Sequence, residues 1–210
     1  MFKRLTLVVS LLVFFAGTAV SAERYKMLST TQPTSTPGKV EVVELFWYGC
    51  NHCHDLEPVL QQWLKTKPDY IEYVRVPAIF RENWMPLARA WYVIETLELG
   101  DQVHMNLFKA IHEKKLNMNN EGLLRSFFGN AGVSAEQFDK LYNSFSIDSM
   151  VRNAARLTRD YQITGVPAII VNGRYLTTVS LTGSREVLIE TIDSLAAKEA
   201  EAMGLLTSAE

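Results

Sequence analysis

Cys50 and Cys53 are the only cysteines among 210 residues, and what flanks them restricts the fold more than anything else in the chain. Before them runs an apolar stretch, Val40 to Trp47, with the length and β-branched content of a buried strand. After them Leu56, Val59, Leu60, Trp63 and Leu64 recur at helical spacing. The Cys50-Asn51-His52-Cys53 segment is therefore predicted where a strand ends and a helix begins. Free backbone N–H groups and the positive end of the helix dipole lie at such a point, and both favour a thiolate at Cys50. Cys53, one turn further on, is placed to close a short disulfide with it. A thiolate with a resolving partner at this spacing is a reversible two-electron switch.

The chain opens with the marks of an export signal over residues 1–22. Lys3 and Arg4 form a basic start, Leu5 to Phe15 an apolar centre, and Val20-Ser21-Ala22 a small-residue cleavage site. The apolar run is short for a spanning helix, so cleavage is favoured over an uncleaved membrane anchor. Removing Lys3 and Arg4 leaves 19 basic against 23 acidic residues, a formal charge of −4 without a basic run. Nucleic acid is not an expected partner of such a chain. A purely structural disulfide is the plain alternative for two cysteines in an exported protein. Closing a loop with only two intervening residues removes little chain entropy, so the spacing favours redox use. Export also supplies a compartment in which such a pair can act as an oxidant.

Along the chain, Glu23 to Leu28 is a short strand candidate, and Ser29 to Lys39, rich in Ser, Thr, Pro and Gly, a loop. Pro58 falls inside the helix after the cysteines, where a kink rather than a stop is expected. Tyr70 to Val76, with Ile71 and Tyr73 alternating, is a strand ending at Pro77. From Asn83 to Gln162 the pattern is helical. Gly100 is a helix stop, Asp101 and Asn119 or Asn120 are starts, and Ser134 with Gln137 is a capping box ahead of Phe138, Leu141, Tyr142 and Phe145. Asp148 is expected to cap the last of these helices. Strand character returns at Val166 to Val171, followed by Asn172-Gly173, a strong hairpin signal, and a partner strand Tyr175 to Leu181. Ser184 caps a closing helix that fades into a polar tail. Strands and a helix thus precede a helical block, and a hairpin and a helix follow it.

These features together resemble the DsbA-type thiol:disulfide oxidoreductases. The strand–CxxC–helix unit, Gly165-Val166-Pro167 ahead of a hairpin, and the helices between them carry the likeness. The resemblance implies an α/β protein, a thioredoxin fold with a helical domain inserted between its two halves. The expected division is residues 23–82 and 163–210 for the thioredoxin-like parts, and 83–162 for the insertion. It implies that Cys50 is the exposed nucleophile and Cys53 the buried resolving thiol, with Asn51 standing where the best-known members have proline. It implies that His52 stabilises the thiolate, that Pro167 is a cis-proline facing the disulfide, and that Val166 and Pro167 dock substrate backbone. Glu44, six residues before Cys50, matches a buried acid beneath the site, and Pro58 the proline that thioredoxins share. The implied partners are reduced exported proteins in the periplasm and a quinone-linked membrane reoxidant of the DsbB type. No cofactor or metal is implied, and a monomer is expected.

Other readings compete at particular residues. Cys50 to His54 also spells CxxCH, the covalent haem attachment pattern of exported c-type cytochromes. That pattern explains neither the strand leading into it nor the Gly-Val-Pro segment. A zinc or copper site using Cys50, Cys53, His52 and His54 is disfavoured, because positions two apart on a helix face different sides. His104 and His112, eight apart, are expected on a solvated face, and Met85, Met105, Met118 and Met150 as gap-fillers. Within the oxidoreductase class, an isomerase would carry an N-terminal dimerisation domain, where here only a short strand and loop precede the catalytic unit. A reductase would differ only in potential.

Overall fold

The computed structural model describes residues 23–206, so the signal expected at residues 1–22 lies outside the described residues. The sheet is built on β2, Val40–Phe46, which is buried at all seven positions. It pairs in parallel with β3, Ile71–Pro77, and antiparallel with β4, Ala168–Val171. Antiparallel β5, Tyr175–Thr177, and the two-residue β1, Lys26–Met27, complete the order β1-β5-β4-β2-β3. Side chains alternate across the sheet and so feed two cores. Val40, Val42, Ile169 and Val171 pack with Leu56, Leu60 and Trp63 of α1, Asn51–Leu64, and with Leu188, Ile192 and Ala196 near the C-terminus. Val43, Leu45, Ala168 and Ile170 face the helical segment instead. With both faces covered, β2 reads as one apolar run broken only by Glu41 and Glu44. Glu41 is satisfied locally, accepting from Ser35 N at 2.8 Å and from the hydroxyls of Ser35 and Thr36.

Between β3 and β4 run a single 3₁₀ turn, Glu82–Trp84, and five helices: α2, Met85–Thr96; α3, Gly100–His112; α4, Glu121–Asn130; α5, Ala135–Tyr142; and α6, Phe145–Asp160. Asn120 and Ser134 cap α4 and α5 as expected, accepting from Leu123 N and Gln137 N. Gly100 follows α2 with a left-handed φ of +76° and at once opens α3. The start of α6 departs from the sequence reading. Ser144, not Asp148, is its cap, and Asp148 lies in the first turn, where it pairs with Arg89 and Arg152. Phe145, expected on the buried face of α5, is the first residue of α6 and 80% exposed.

The hairpin turns at Asn172 and Gly173, both left-handed with φ of 49° and 64°, and Arg174 N donates to Val171 O at 3.0 Å. Gly173 is needed twice over, because a Cβ there would lie 2.0 Å from the Gln32 carbonyl oxygen. Both hairpin strands are shorter than the apolar runs that announce them. β4 starts after Pro167, which has no N–H for the ladder. β5 ends at Thr177, because the Thr178 side chain accepts from Leu181 N and caps a single-turn helix, α7, Val179–Thr182. The closing helix α8, Arg185–Ala202, runs further than a fading tail, burying Ala196, Glu199 and Ala200. Glu199 is held there by Asn172 Nδ2 at 2.7 Å and by Arg174. Ser184 caps α8 by accepting from Val187 N at 3.2 Å. Ser184→Ala is expected to lower unfolding stability by about 1 kcal/mol, read from a urea transition with unchanged slope.

Candidate active site

Cys50 is the residue immediately before α1, in extended conformation with φ −91° and ψ 118°. The first turn of the helix therefore presents its free N–H groups to the Cys50 sulfur. The Cys50 thiol is lowered from 9.0 to about 6, first by a hydrogen bond from the Cys53 thiol, then by backbone N–H groups of Cys53 and His52 and by the His52 charge, against the opposing effect of burial. Cys53, 1% exposed, is pushed the other way, well above the ordinary thiol range. Burial is the main cause, followed by bonding to Cys50 and by the charges of Cys50 and Glu44. At neutral pH the pair holds one proton, on Cys53, and one negative charge, on Cys50. Gly49 admits the turn ahead of Cys50, since a Cβ there would lie 2.4 Å from the Trp47 ring, which stacks on Trp84 at 4.0 Å.

Opposite Cys50 lies the segment that opens β4. Cys50 Sγ is 3.4 Å from the Val166 carbonyl oxygen, and the Val166–Pro167 peptide is cis. His52, exposed in the first turn of α1, joins Val166, Pro167, Leu176, Val179 and Arg185 around an open cleft of about 680 Å³. A polarised nucleophile, a buried partner thiol and an open cleft thus meet where β2 ends and β4 begins, in the middle of the sheet. That arrangement can bind an extended chain and exchange a disulfide with it.

A family model described as a DSBA-like thioredoxin domain matches residues 41–188. The chain belongs to the DsbA family. It is 37% identical over 173 residues to the thiol:disulfide interchange protein DsbA of Burkholderia cepacia, covering 80% of this chain and 82% of that one. With the corresponding protein of Pseudomonas aeruginosa the identity is 36% over 179 residues, 85% of each chain. The crystal structure of Pseudomonas aeruginosa DsbA superposes with a TM-score of 0.82 at 36% identity, over 86% of this chain and 94% of that one. That of Xylella fastidiosa DsbA gives 0.80 at 30% identity, over 87% and 98%.

Beneath the cysteines, this DsbA-family chain buries a set of charges that sequence reasoning only partly anticipated. Glu44, 2% exposed, accepts from Tyr73 Oη at 2.5 Å and lies 3.6 Å from Arg75 Nε. Arg75 also reaches Glu57 at 2.8 Å and Asp101 at 2.9 Å, so one guanidinium serves three carboxylates. His104 Nε2 lies 2.6 Å from Glu57 Oε1, and its Nδ1 meets Tyr48 Oη at 2.6 Å. Burial raises Glu44 and Glu57 to about 7 each, with Glu57's charge adding to the shift at Glu44 and Arg75 opposing both. Burial and then Arg75 lower His104 to about 3, so it is neutral. Two carboxyls that share the Arg75 cation are thus both held above the ordinary carboxylate range. Glu44's charge also acts on Cys53.

Glu57, Arg75 and His104 were not singled out for this role. Arg75 continues the alternation Ile71, Tyr73 along β3, opposite Glu44 in the register, so its direction was readable. Glu57 sits beside Leu56 and Leu60 on the buried side of α1, an acid at the edge of an apolar stripe. His104 was expected on a solvated face and is instead 1% exposed, because α3 packs that face against Phe46, Tyr48 and Trp91. His112, on the same side, is half-buried and bonded to the active-site loop. Among the described residues, no three His, Cys, Asp or Glu side chains are grouped to hold a metal ion.

Proposed function

We propose that this chain is a periplasmic dithiol oxidase that introduces disulfides into exported proteins through Cys50 and Cys53. The observation that carries the reading is the opposite polarisation of the two thiols, with Cys50 Sγ 3.4 Å from the Val166 carbonyl oxygen beside the cleft. In the oxidised protein a substrate thiolate attacks Cys50 Sγ. The Cys50–Cys53 bond breaks, and Cys53 leaves and takes up a proton. A second substrate thiolate then attacks the substrate sulfur of the mixed disulfide and expels Cys50 as a thiolate. The substrate gives up two electrons and two protons. The protein takes both electrons and keeps one proton, on Cys53, while the other goes to solvent and Cys50 stays a thiolate. Stabilising Cys50 as a thiolate favours the reduced form and makes the oxidised form a strong oxidant. His52 and the first-turn N–H groups supply that stabilisation, Val166 and Pro167 dock the substrate backbone, and Glu44 exchanges a proton with Cys53. Residues 83–162 form the inserted helical domain between the thioredoxin-like parts 23–82 and 163–210. Family membership supports a quinone-linked membrane reoxidant of the DsbB type, and the export signal at residues 1–22 supports the periplasm.

Equilibration of the purified mature chain with glutathione buffers tests the reading. The dithiol form is expected to dominate even when much of the glutathione is oxidised. A potential near that of thioredoxin would overturn the oxidase assignment. The same preparation is expected to be colourless and to lose two free thiols on mild oxidation. A covalently attached haem, seen by mass and by Soret absorbance, would overturn dithiol chemistry altogether.

A further inference from the structure

His112 makes two hydrogen-bonding contacts, one on each side of the nucleophile. Its Nε2 lies 2.6 Å from the carbonyl oxygen of Tyr48, two residues before Cys50. Its Nδ1 lies 2.7 Å from Oδ1 of Asn51, the residue directly after Cys50. A carbonyl only accepts, so Nε2 carries a hydrogen. Nδ1 then accepts from the Asn51 amide N–H₂ in the neutral ring, or donates to the amide oxygen in the cation. The carboxamide satisfies either state by turning over, and its orientation follows from that choice. Two turns earlier on the same helix, His104 holds the Tyr48 hydroxyl at 2.6 Å, so α3 grips Tyr48 at both ends. From α1, the His54 ring stacks on His112 with centroids 4.9 Å apart. Asp55 lies 3.6 Å from His54 Nδ1, and Glu113 3.9 Å from His54 Nε2.

We propose that His112 is a positioning residue for disulfide exchange, bridging Tyr48 and Asn51 so that the turn carrying Cys50 keeps its sulfur under the first N–H groups of α1. The inference rests on the oxidase reading and deepens it. Sulfur stabilisation by N–H groups depends steeply on their distance and direction, and Asn51 is an exposed residue at the start of α1. The link through His112 ties that start to α3. The two-electron exchange between substrate dithiol and protein disulfide is unchanged. His112 sets how far the reduced form is favoured.

The test is a double-mutant cycle on the mature chain, with wild type, Asn51→Ala, His112→Ala and the double variant. Two quantities are read: the Cys50 titration, from thiolate absorbance, and the equilibrium constant with glutathione. Each single variant is expected to raise the Cys50 midpoint by about half to one pH unit. The glutathione equilibrium should move about three- to ten-fold toward the protein disulfide, the size of one lost hydrogen bond. The double variant should match the singles, because both break the same link. Unchanged values in Asn51→Ala, or additive shifts in the double variant, overturn the proposal. Asn51 is a surface residue, so its variant decides the matter even if His112→Ala does not fold. A wild-type chain that exchanges no disulfide with glutathione would instead refute the oxidase reading.

Discussion

Cys50→Ser is expected to abolish oxidation of a reduced model protein, whereas Cys53→Ser keeps the nucleophile and accumulates mixed disulfides. The difference follows from the opposite environments of the two sulfurs. Cys50 is half-buried beside the cleft and its thiol is lowered to about 6 by the Cys53 thiol and the first-turn N–H groups, so it is the sulfur expected to meet an incoming chain and to react as a thiolate. Cys53 is buried, and its raised proton affinity keeps it a thiol until the disulfide has to be closed or opened. In Cys53→Ser the Cys50 thiolate still attacks a disulfide in solution, releasing one thiol and leaving a mixed disulfide that nothing within the protein resolves. In Cys50→Ser the remaining sulfur has no access to substrate. Gel shifts with oxidised glutathione or a disulfide-containing peptide, quenched by acid, distinguish the two. The reverse pattern, adducts on Cys53 and none on Cys50, would overturn the assignment of nucleophile and resolving thiol.

Glu44→Gln is expected to stabilise the protein at neutral pH while slowing exchange. A carboxyl whose folded pKa is raised from 4.5 to about 7 counts against the folded state once pH exceeds 4.5, and the penalty levels off above about 7. At pH 8 a neutral amide in its place removes about 2–3 kcal/mol of that penalty. Tyr73 keeps an acceptor in the amide oxygen, and Arg75 keeps Glu57 and Asp101. Below pH 4.5 the variant and the parent should be nearly equal in stability, because the parent carboxyl is then protonated in both folded and unfolded chains. The cost appears in catalysis. When substrate attacks Cys50, Cys53 leaves as a buried thiolate and needs a proton, which an amide cannot deliver. A fall of about tenfold or more in single-turnover exchange is expected near neutrality. Denaturation midpoints and stopped-flow fluorescence from pH 5 to 8 provide the test. A variant that matches the parent in both would make Glu44 a spectator.

The central apolar run shows how far sequence reasoning reached. β2 was legible because a strand covered on both faces needs apolar side chains at nearly every position, and the helix after it because its stripe repeats at helical spacing. Asn172-Gly173 was legible because few residue pairs tolerate two successive left-handed conformations. The cap of α6 was missed because Ser144 and Asp148 both suit a helix start, and local chemistry does not choose between them. Phe145 looked like a core residue because it continues the helical spacing of Phe138, Leu141 and Tyr142, but α5 ends at Tyr142 and Phe145 opens α6 instead. The length of β5 was overestimated because Thr178 draws the chain into a helical turn, a competition that β-branched content does not reveal.

The alternation of elements, the place of the cysteine pair between strand and helix, and so the direction of polarisation at Cys50 were all readable from residue order. Those depend on contacts between near neighbours along the chain, and spacing encodes them. What lies across space from them came from the folding of distant segments onto one another. It brought Val166 within 3.4 Å of Cys50 from 116 residues away, set Arg75 among three carboxylates, and buried His104. It also placed His112 against Asn51, 61 residues earlier in the chain. A titratable side chain carries no mark in the sequence of whether water or another charge will surround it. That is settled when the helical segment closes over the sheet and removes the water.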